Sequence, residues 1–299
     1  MPVVEYSLGG AATVASATRE FTRQLTLAGI EGAAGDVRRL LAGTLGVSGA
    51  DLLRAPERTL SAAEMNVLIG YLERRRCHEP VSRILGEREF YGRTFSLSPA
   101  TLDPRPDSET IVATALEVVR GEDWGLQPLR ILDVGTGSGC LLLTLLCELP
   151  QATGLGTDIS EAALVVAAGN AARLGVAQRV SWQLADGLES VSGPFHMLIA
   201  NPPYVRTSEI DELAPEVRDY DPFAALDGGL DGLAIYRRLM GRMSATVPSG
   251  WVVFEVGHDQ ADAVANLLVS EVPGVEAAGI RIRRDVSGIR RCVAARTRR

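Results

Sequence analysis

The residues with the clearest chemical potential are Asn201-Pro202-Pro203-Tyr204, which directly follow the apolar run Met197 to Ala200. The run predicts a buried strand, and Pro202 restricts Asn201 to an extended backbone. Neither proline carries an N–H, so the backbone of this loop can only accept hydrogen bonds. A side-chain amide, bare carbonyls and a ring suit a planar group that carries N–H donors. A proline-rich turn after a strand explains the four residues equally well, so the upstream sequence has to decide.

A glycine-rich turn, Gly135-Thr136-Gly137-Ser138-Gly139, lies between a predicted strand and an apolar predicted helix. By itself such a turn is compatible with a dinucleotide, a flavin or S-adenosylmethionine. Asp158 follows Gly137 by about 20 residues, at the end of the next predicted strand, where a carboxylate accepts from both hydroxyls of a ribose. The turn and Asp158 therefore predict a nucleoside-containing ligand.

Two further acidic positions favour S-adenosylmethionine over a dinucleotide. Asp133 precedes the glycines, where its charge would face a pyrophosphate poorly but suits a cationic sulfonium and its ammonium group. Asp186-Gly187 ends the third predicted strand, where the carboxylate can accept from an adenine amino group. We therefore predict that S-adenosylmethionine contacts residues 135–139, Asp158, Asp186, Gly187 and Asn201.

The elements that must position these residues alternate between strand and helix from Leu129 onwards. The alternation implies a Rossmann-like α/β fold, with a mostly parallel sheet covered by helices on both faces and ligands at the carboxyl ends of the strands. If the sheet is doubly wound about the glycine turn, the strand before Asn201 lies beside the first strand. The predicted strands cover 130–134, 153–157, 180–184, 195–200, 250–256, 275–282 and 291–295, and the predicted helices cover 140–148, 160–174, 230–246 and 260–270.

The chain before this α/β region predicts a small helical domain, residues 1–85, and a β-hairpin linker, residues 86–106, ahead of a catalytic domain, residues 107–299. Residues 1 to about 16 are small and polar and are expected to be frayed. Apolar residues recur at helical spacing from Thr18 to about Arg76, and Ser61 with Glu64 forms a capping-box pattern. A hairpin is predicted at 89–97, and Asp107-Ser108-Glu109 is predicted to cap a helix at 110–120.

Composition excludes several functional classes. The 299 residues carry a net charge of −7, which argues against general binding of a nucleic-acid backbone, although local arginine clusters leave a basic patch for RNA or an acidic partner open. The four cysteines form no CxxC pair and only three histidines are present, so we expect no metal centre and a reducing, cytoplasmic setting. No apolar run reaches the ~20 residues that cross a bilayer, so no membrane association is expected.

The Asn201 loop can place a planar nitrogen in line with a methyl–sulfur bond. The Asn201 side-chain oxygen and the Pro202 carbonyl can each accept one N–H, which orients the nitrogen and stabilises the positive charge that grows on it. Tyr204 can stack on the flat group. The sequence therefore predicts methyl transfer to a planar nitrogen with Asn201, Pro202 and Tyr204 as catalytic residues and with residues 201–204 binding the acceptor.

The whole chain, from about Glu20 to about Arg296, resembles the HemK-type family of protein-(glutamine-N5) methyltransferases, which act on bacterial peptide chain release factors. Several of the segments that carry this resemblance have no general reason to occur together. They are Pro80 to Gly86, Glu89 to Gly92, Pro104-Arg105-Pro106, Asp133 to Cys140, Asp158-Ile159-Ser160 with Ala162 to Leu164, Asn201 to Tyr204, Asp221-Pro222, Ala225-Leu226, Gly228-Gly229, Asp231-Gly232-Leu233, Glu255-Val256-Gly257 and Asp285 to Gly288.

The resemblance implies methylation of the glutamine amide in the Gly-Gly-Gln loop of class 1 release factors, by a protein that we expect to be a monomer. It implies that the N-terminal helical domain helps to hold this substrate, that residues 135–139 and Asp158 bind the cofactor, and that residues 201–204 bind the glutamine. Two departures stand out. Asp107-Ser108-Glu109 replaces the frequent Glu-Thr-Glu, and Gly187 stands where many members have an aromatic residue over the adenine.

Three other functions remain alternatives. An amino-methyltransferase acting on DNA or RNA bases can share the Asn-Pro-Pro-aromatic loop, and a glutamine methyltransferase for a ribosomal protein would share the entire site. A non-catalytic, cofactor-binding assembly factor is the third, although such a protein would have no need of the Asn201 loop.

Overall fold

The computed structural model describes residues 12–125 and 127–298, and the chain divides into two compact units between Gly86 and Glu87. Most of the segment expected to be frayed, residues 1–11, lies outside the described residues. For its last part the expectation is wrong, because a helix already begins at Val14. The Thr13 hydroxyl caps that helix by accepting from the Ser16 N–H at 3.2 Å.

The first unit is helical. Its centre is formed by fully buried apolar side chains such as Phe21, Leu25, Leu41, Leu68 and Leu72. The predicted capping box is confirmed, because Ser61 and Glu64 each accept a hydrogen bond from the other's backbone N–H. The helices are α1 (Val14–Leu27), α2 (Ala33–Leu45), α3 (Gly49–Arg54), α4 (Ala62–Arg76) and α5 (Val81–Leu85).

The second unit opens with the predicted β-hairpin. Strands β1 (Glu87–Phe90) and β2 (Arg93–Ser96) pair antiparallel and are joined by Tyr91-Gly92, both with positive φ. The hairpin is followed by a 3-10 turn at Pro106–Ser108 and by helix α6 (Glu109–Gly121).

A seven-stranded sheet forms the body of the second unit, in the order β5-β4-β3-β6-β7-β9-β8. The first five of these strands run parallel and β9 runs antiparallel to both of its neighbours, so the predicted Rossmann-like α/β fold is confirmed. The strands are β3 (Arg130–Val134), β4 (Thr153–Asp158), β5 (Val180–Leu184), β6 (Met197–Ala200), β7 (Gly250–Glu255), β8 (Ile280–Arg284) and β9 (Arg290–Thr297), and the remaining helices are α7 (Cys140–Glu148), α8 (Glu161–Arg173), α9 (Pro215–Arg218), α10 (Ala234–Thr246) and α11 (Ala261–Glu271).

Apolar side chains cover both faces of this sheet. All residues of β6 and β7 are buried, as expected for central strands that have helices on both sides. Ile131 and Met197 belong to the core on one face, and Leu198 and Phe254 to the core on the other. The strand predicted at 275–282 is displaced, because residues 277–279 form a 3-10 turn and β8 begins only at Ile280.

Within the described residues, every helix is too short or too polar to cross a lipid bilayer.

Candidate active site

The strand pairing brings the predicted site residues to one edge of the sheet. β3 lies between β4 and β6, and Val134 at its end pairs with Thr157 on one side and with Ala200 on the other. The glycine turn that follows β3 therefore lies between Asp158 and Asn201. The expected neighbourhood of the first and fourth strands of the parallel sheet is confirmed.

The glycine turn bends around open space. Gly135 and Gly137 have φ values of 70° and 55°, and a Cβ atom added at either position would meet no atom within 4 Å. The Gly137 N–H donates to Asp158 Oδ2 at 2.9 Å. Gly139 has a different role, because a Cβ there would come 2.9 Å from Leu143 Cδ1. The first two glycines leave room for close approach of a ligand, and the third allows tight packing of α7.

Asp133 lies beneath this turn as a fully buried carboxyl group. Its Oδ2 accepts from the Thr136 hydroxyl at 2.6 Å, whereas its Oδ1 accepts no hydrogen bond from any described residue. Burial raises the pKa of Asp133 to about 7, and the charge of Asp158 adds to this effect. A bound cation would interact with the free Oδ1 and offset the free-energy cost of ionising this buried carboxyl group. The site therefore fits S-adenosylmethionine, whose sulfonium and ammonium groups are both positive.

Asp158 and Asp186, the two acids predicted to bind the nucleoside, have different hydrogen-bond and ion-pair partners within the protein. Asp158 Oδ2 accepts the Gly137 N–H and Oδ1 accepts the Ser160 N–H, both at 2.9 Å, so each oxygen keeps a second lone pair. Asp186 is half exposed and forms an ion pair with Arg238 at 2.6 Å. Gly187, which follows it, has a φ of 60°. Asp158 is thus built into the glycine turn, and Asp186 is held by a surface cation.

Ile159, which the sequence shows only as part of a family segment and without a role of its own, also lies at this edge. It directly follows Asp158, and its apolar side chain is 56% exposed. An exposed isoleucine beside a ligand-facing acid can cover one face of a flat ring. The signal available in the sequence was its position immediately after the acid that ends a strand.

Ser108, which the sequence predicts to cap α6, instead binds the Asn201 side chain. The Asn201 Nδ2 donates to Ser108 Oγ at 3.2 Å, which leaves Oδ1 as the acceptor of this side chain. Ser108 is 2% exposed and makes no capping bond to α6, so the predicted cap is wrong. Glu109, the next residue, instead accepts the Tyr91 N–H at 2.8 Å. Ser108 and Glu109, at the start of α6, therefore make tertiary contacts rather than a side-chain cap of this helix.

Glu255 is the second residue behind the Asn201 loop. It follows Phe254, which pairs with Ala200, so Glu255 and Asn201 lie side by side at the ends of β7 and β6. The Tyr204 hydroxyl donates to Glu255 Oε1 at 3.2 Å. Burial raises the pKa of Glu255 to about 7. The hydroxyls of Ser108 and Tyr204 and the charge of Arg291 lower this pKa, but their effect is smaller than that of burial. Burial also raises the pKa of Tyr204, which stays protonated.

Gln260 ties the Asn201 loop to two other segments. Its Nε2 donates to the carbonyls of Tyr204 at 2.9 Å and Gly232 at 3.3 Å, and its Oε1 accepts the Gly257 N–H at 3.0 Å. The backbone packs very closely here, because a Cβ on Gly232 would lie 2.4 Å from the Tyr204 carbonyl oxygen. Gln260 itself is 4% exposed. The loop that carries Tyr204 is therefore fixed by one buried side chain and by a glycine.

A cavity of about 350 Å³ opens beside this loop. Its walls combine the polar groups of the loop with cationic, acidic and apolar side chains, which suits a polar chain segment more than a metal or a flat apolar ligand. Among the described residues, no cluster of three or more histidines, cysteines or acids is placed to hold a metal ion. The lining includes Arg105, Asn201, Tyr204, Glu209, Glu255 and Arg291.

Asp221 anchors one wall of the cavity. Its buried carboxylate accepts from Arg105 Nη2 at 2.6 Å and from the Asp103 N–H at 3.1 Å, and so joins the segment before α6 to the segment after the Asn201 loop. From the sequence Asp221 is visible only as part of a family segment, and its contact with Arg105 is not. The signal in the sequence is an acid directly before Pro222, for which an arginine partner can be sought.

We expect Asp221→Asn to destabilise the protein by about 2 kcal/mol, because it removes the charge from a buried hydrogen bond to arginine while it keeps an acceptor for Asp103. The measurement is chemical denaturation followed by circular dichroism. The control is Asp262→Asn, which removes an exposed ion pair with Arg290 and should cost less than about 1 kcal/mol. Equal losses for the two variants would contradict the buried contact.

Comparison with known proteins adds evidence from the whole chain. Residues 16–86 match the PrmC N-terminal domain, and residues 122–216 match the methyltransferase small domain. A protein of Bradyrhizobium diazoefficiens named release factor glutamine methyltransferase is 42% identical over 285 residues, which cover 95% of each chain. A protein of the same name from Rhodospirillum rubrum is 44% identical over 276 residues, 92% of this chain and 82% of the relative.

One solved structure supports the fold alone. The catalytic domain of hMettl16, crystallised with a hairpin of the MAT2A 3′UTR, superposes with a TM-score of 0.55. The match covers 80% of this chain and 84% of that one, at 14% sequence identity.

Proposed function

The chain belongs to the family of release factor glutamine methyltransferases, and from this premise we propose that it transfers a methyl group from S-adenosylmethionine to the side-chain amide nitrogen of the glutamine in the Gly-Gly-Gln loop of class 1 release factors. The enzyme is an S-adenosylmethionine-dependent methyltransferase of the class I α/β fold. The observation that carries the choice of acceptor is the similarity of the whole chain to relatives named release factor glutamine methyltransferase. The orientation of Asn201, whose Nδ2 donates to Ser108 and whose Oδ1 is left to accept, supports an acceptor that bears N–H groups.

An amide nitrogen is a weak nucleophile because its lone pair is delocalised into the carbonyl group. Asn201 Oδ1 and the Pro202 carbonyl each accept one of its two N–H bonds, so the nitrogen is held in a single orientation and the charge that develops on it is stabilised. Tyr204 supplies the wall of this pocket; its hydroxyl is bound to Glu255, so its ring is fixed. A substrate that lacks the N–H donors would leave both acceptors unpaired.

The bound S-adenosylmethionine supplies an electrophilic methyl group on a cationic sulfur. On the protein side, Gly135 and Gly137 allow the backbone to approach the ligand, and Asp158 accepts from the ribose hydroxyls. The buried Asp133 carboxylate, which is shielded from water, balances the positive charge of the cofactor. Residues 136, 138 and 139 complete the turn. Asp186 and Gly187 border the adenine in this proposal. Asp186, which is paired with Arg238, accepts from the adenine amino group either in place of Arg238 or in addition to it.

Residues 1–85 form the part that recognises the release factor in this proposal, residues 86–106 the linker and residues 107–299 the catalytic domain. The match of residues 16–86 to the PrmC N-terminal domain supports the first assignment. The net charge of −7 supports a protein substrate over a nucleic acid. We place the reaction in the cytoplasm, where release factors act, and expect a monomeric enzyme without membrane association.

The experiment that tests this function is transfer of a labelled methyl group to a purified class 1 release factor. Label should appear on the wild-type factor and be lost when its Gly-Gly-Gln glutamine is replaced by alanine. Parallel reactions with ribosomal protein and with DNA or RNA distinguish the other acceptors. Label on nucleic acid alone, or on ribosomal protein alone, would overturn the proposal.

A further inference from the structure

Two β-turns border the cavity that Asn201 lines, the acceptor cavity, and each presents an apolar side chain at its tip. The first turn spans residues 229–232, with Leu230 at its tip, and the second spans residues 285–288, with Val286 at its tip. The N–H of the last residue donates to the carbonyl of the first, at 3.2 Å and 3.0 Å respectively. Of the large apolar side chains in the described part of the chain, Leu230 and Val286 are the two most exposed, at 93% and 100%.

The first turn is held against the loop that carries Tyr204. The N–H of Gly228, just before the turn, donates to the carbonyl of Val205 at 2.8 Å, and Val205 lines the acceptor cavity. A Cβ atom on Gly228 would lie 2.8 Å from the Tyr204 Cα, so the two backbones are in close contact. Leu230 is therefore held at a fixed position beside the cavity and is not on a free loop.

Asp285 holds the second turn and connects it to the same cavity. Its Oδ1 accepts the N–H groups of Ser287 and Ile289, both at 2.9 Å. Its Oδ2 lies 3.4 Å from the Nε of Arg291, which lines the acceptor cavity. The backbone is thus fixed on the carboxyl-terminal side of Val286, and the tip of this turn also borders the cavity.

Phe223 adds a third exposed apolar side chain to this region. It begins a 3-10 turn, Phe223–Ala225, and is 59% exposed. Its carbonyl accepts the N–H of Leu226 at 3.0 Å, and both Ala225 and Leu226 line the acceptor cavity. Single exposed apolar residues are common on proteins, but three on turns around one cavity indicate a binding surface. We call the side chains of Phe223, Leu230 and Val286 the apolar rim.

Charged groups beside the apolar rim are already paired within the protein. Arg206, which lines the cavity, lies 2.7 Å from Glu209 and 2.7 Å from Asp259. Asp231, which follows Leu230 in the first turn, is paired with Arg237 at 2.5 Å. Burial of the exposed apolar side chains, in contrast, is favourable because it removes apolar area from water. The chemistry of the rim therefore fits an apolar partner surface.

We propose that the apolar rim is a docking surface for the methyl-accepting protein and contacts apolar side chains around the Gly-Gly-Gln loop of a class 1 release factor. This inference rests on the proposed function and names a part of the second unit that recognises the same substrate. A glutamine side chain is short, so a protein that inserts it into the acceptor cavity must bring its own surface against the rim. The turns are held by hydrogen bonds before the substrate arrives, which lowers the entropy cost of binding.

The test is steady-state methyl transfer to the release factor by the triple variant Phe223→Ala, Leu230→Ala, Val286→Ala. Contacts made equally in the ground state and the transition state affect KM alone, so KM for the factor should rise about 10–100-fold while kcat stays within about twofold. The Kd of S-adenosylmethionine should change by less than about twofold, because the rim lies outside the cofactor site. Leu230→Ala alone should raise KM by about threefold or more, and Leu230→Met, which keeps a large apolar side chain, should retain the wild-type KM.

Val165→Ala is the matched control. Val165 is 68% exposed on α8, and the described residues that line the acceptor cavity all lie outside α8. This variant should keep the wild-type KM and kcat. All variants should keep the wild-type melting temperature, because the substituted side chains are on the surface.

A wild-type KM in the triple variant, with the release factor still labelled by the wild type, would overturn the apolar rim and leave the proposed function standing. A fall in kcat without a change in KM, or an equal rise of KM in Val165→Ala, would also overturn it. A wild-type enzyme that leaves the release factor unlabelled would refute the proposed function together with this inference. A wild-type dimer in sedimentation velocity that the triple variant abolishes would assign the rim to a second copy of this chain and would overturn the docking of the substrate.

Discussion

Asn201→Ala should lower kcat for release factor methylation by at least about 100-fold, the cost commonly seen when one group that stabilises transition-state charge is removed. Alanine removes the oxygen that accepts the substrate N–H and leaves the Ser108 hydroxyl without its donor. Binding of S-adenosylmethionine should change little, because Asp133, Asp158 and the glycine turn are intact. The measurements are single-turnover methyl transfer and calorimetric titration of the cofactor.

Asn201→Asp is the matched comparison for this variant. Aspartate keeps an oxygen in the same position but has no NH₂ to donate to Ser108. It should therefore retain more activity than alanine and less than the wild type. Full activity in Asn201→Ala would mean that this loop is not the acceptor site, whatever the behaviour of the aspartate variant.

Gly137→Val should weaken the binding of S-adenosylmethionine by at least about 100-fold, which corresponds to about 2.7 kcal/mol. Gly137 has a φ of 55°, a backbone conformation that β-branched residues avoid, and a Cβ there would occupy space that is open in the protein. The side chain would therefore stand where the ligand approaches the turn. The measurement is calorimetric titration with S-adenosylmethionine.

Gly175→Val is the control for backbone strain. Gly175 has a φ of 71° and equally open space around its Cα, but it lies after α8 rather than in the glycine turn. Both variants should lower the melting temperature by similar amounts because they impose similar strain. Only Gly137→Val should lose affinity for the cofactor. Equal loss of affinity in both would show that the effect comes from general destabilisation.

The fold could be predicted from the sequence because local patterns and global topology agree. The apolar runs of β3 and β6 and the turn that follows each of them determine both the strands and their ligand-facing ends. The displaced strand near Ile280 had no such support, since a 3-10 turn interrupts an otherwise apolar stretch. Before Ile280 the alternation of apolar and polar residues is lost, so the sequence does not determine where β8 begins.

The residues that face the ligands could be recognised from the sequence, but the residues that hold these side chains in place could not. Asn201 and the glycine turn have features that are visible in a few consecutive residues. Ser108 is 93 positions from its partner Asn201, and a serine before a helix is explained equally well by a cap. Glu255 ends a strand whose other residues are apolar, and only the register of β6 with β7 places it beside Asn201. Such contacts depend on tertiary structure, which local patterns do not contain.

The three hydrogen bonds of Gln260 have a consequence for motion. Tyr204, Gly232 and Gly257 belong to segments that are far apart in sequence, yet each depends on the same buried amide. Opening of residues 257–260 withdraws the Gln260 amide from both Tyr204 and Gly232, so the three segments should unfold locally as a single cooperative unit. Their backbone amides should then exchange with deuterium at a common rate, and Gln260→Ala should accelerate exchange in all three segments while leaving β3 and β4 protected. The entrance to the acceptor pocket is thus one element that opens as a whole.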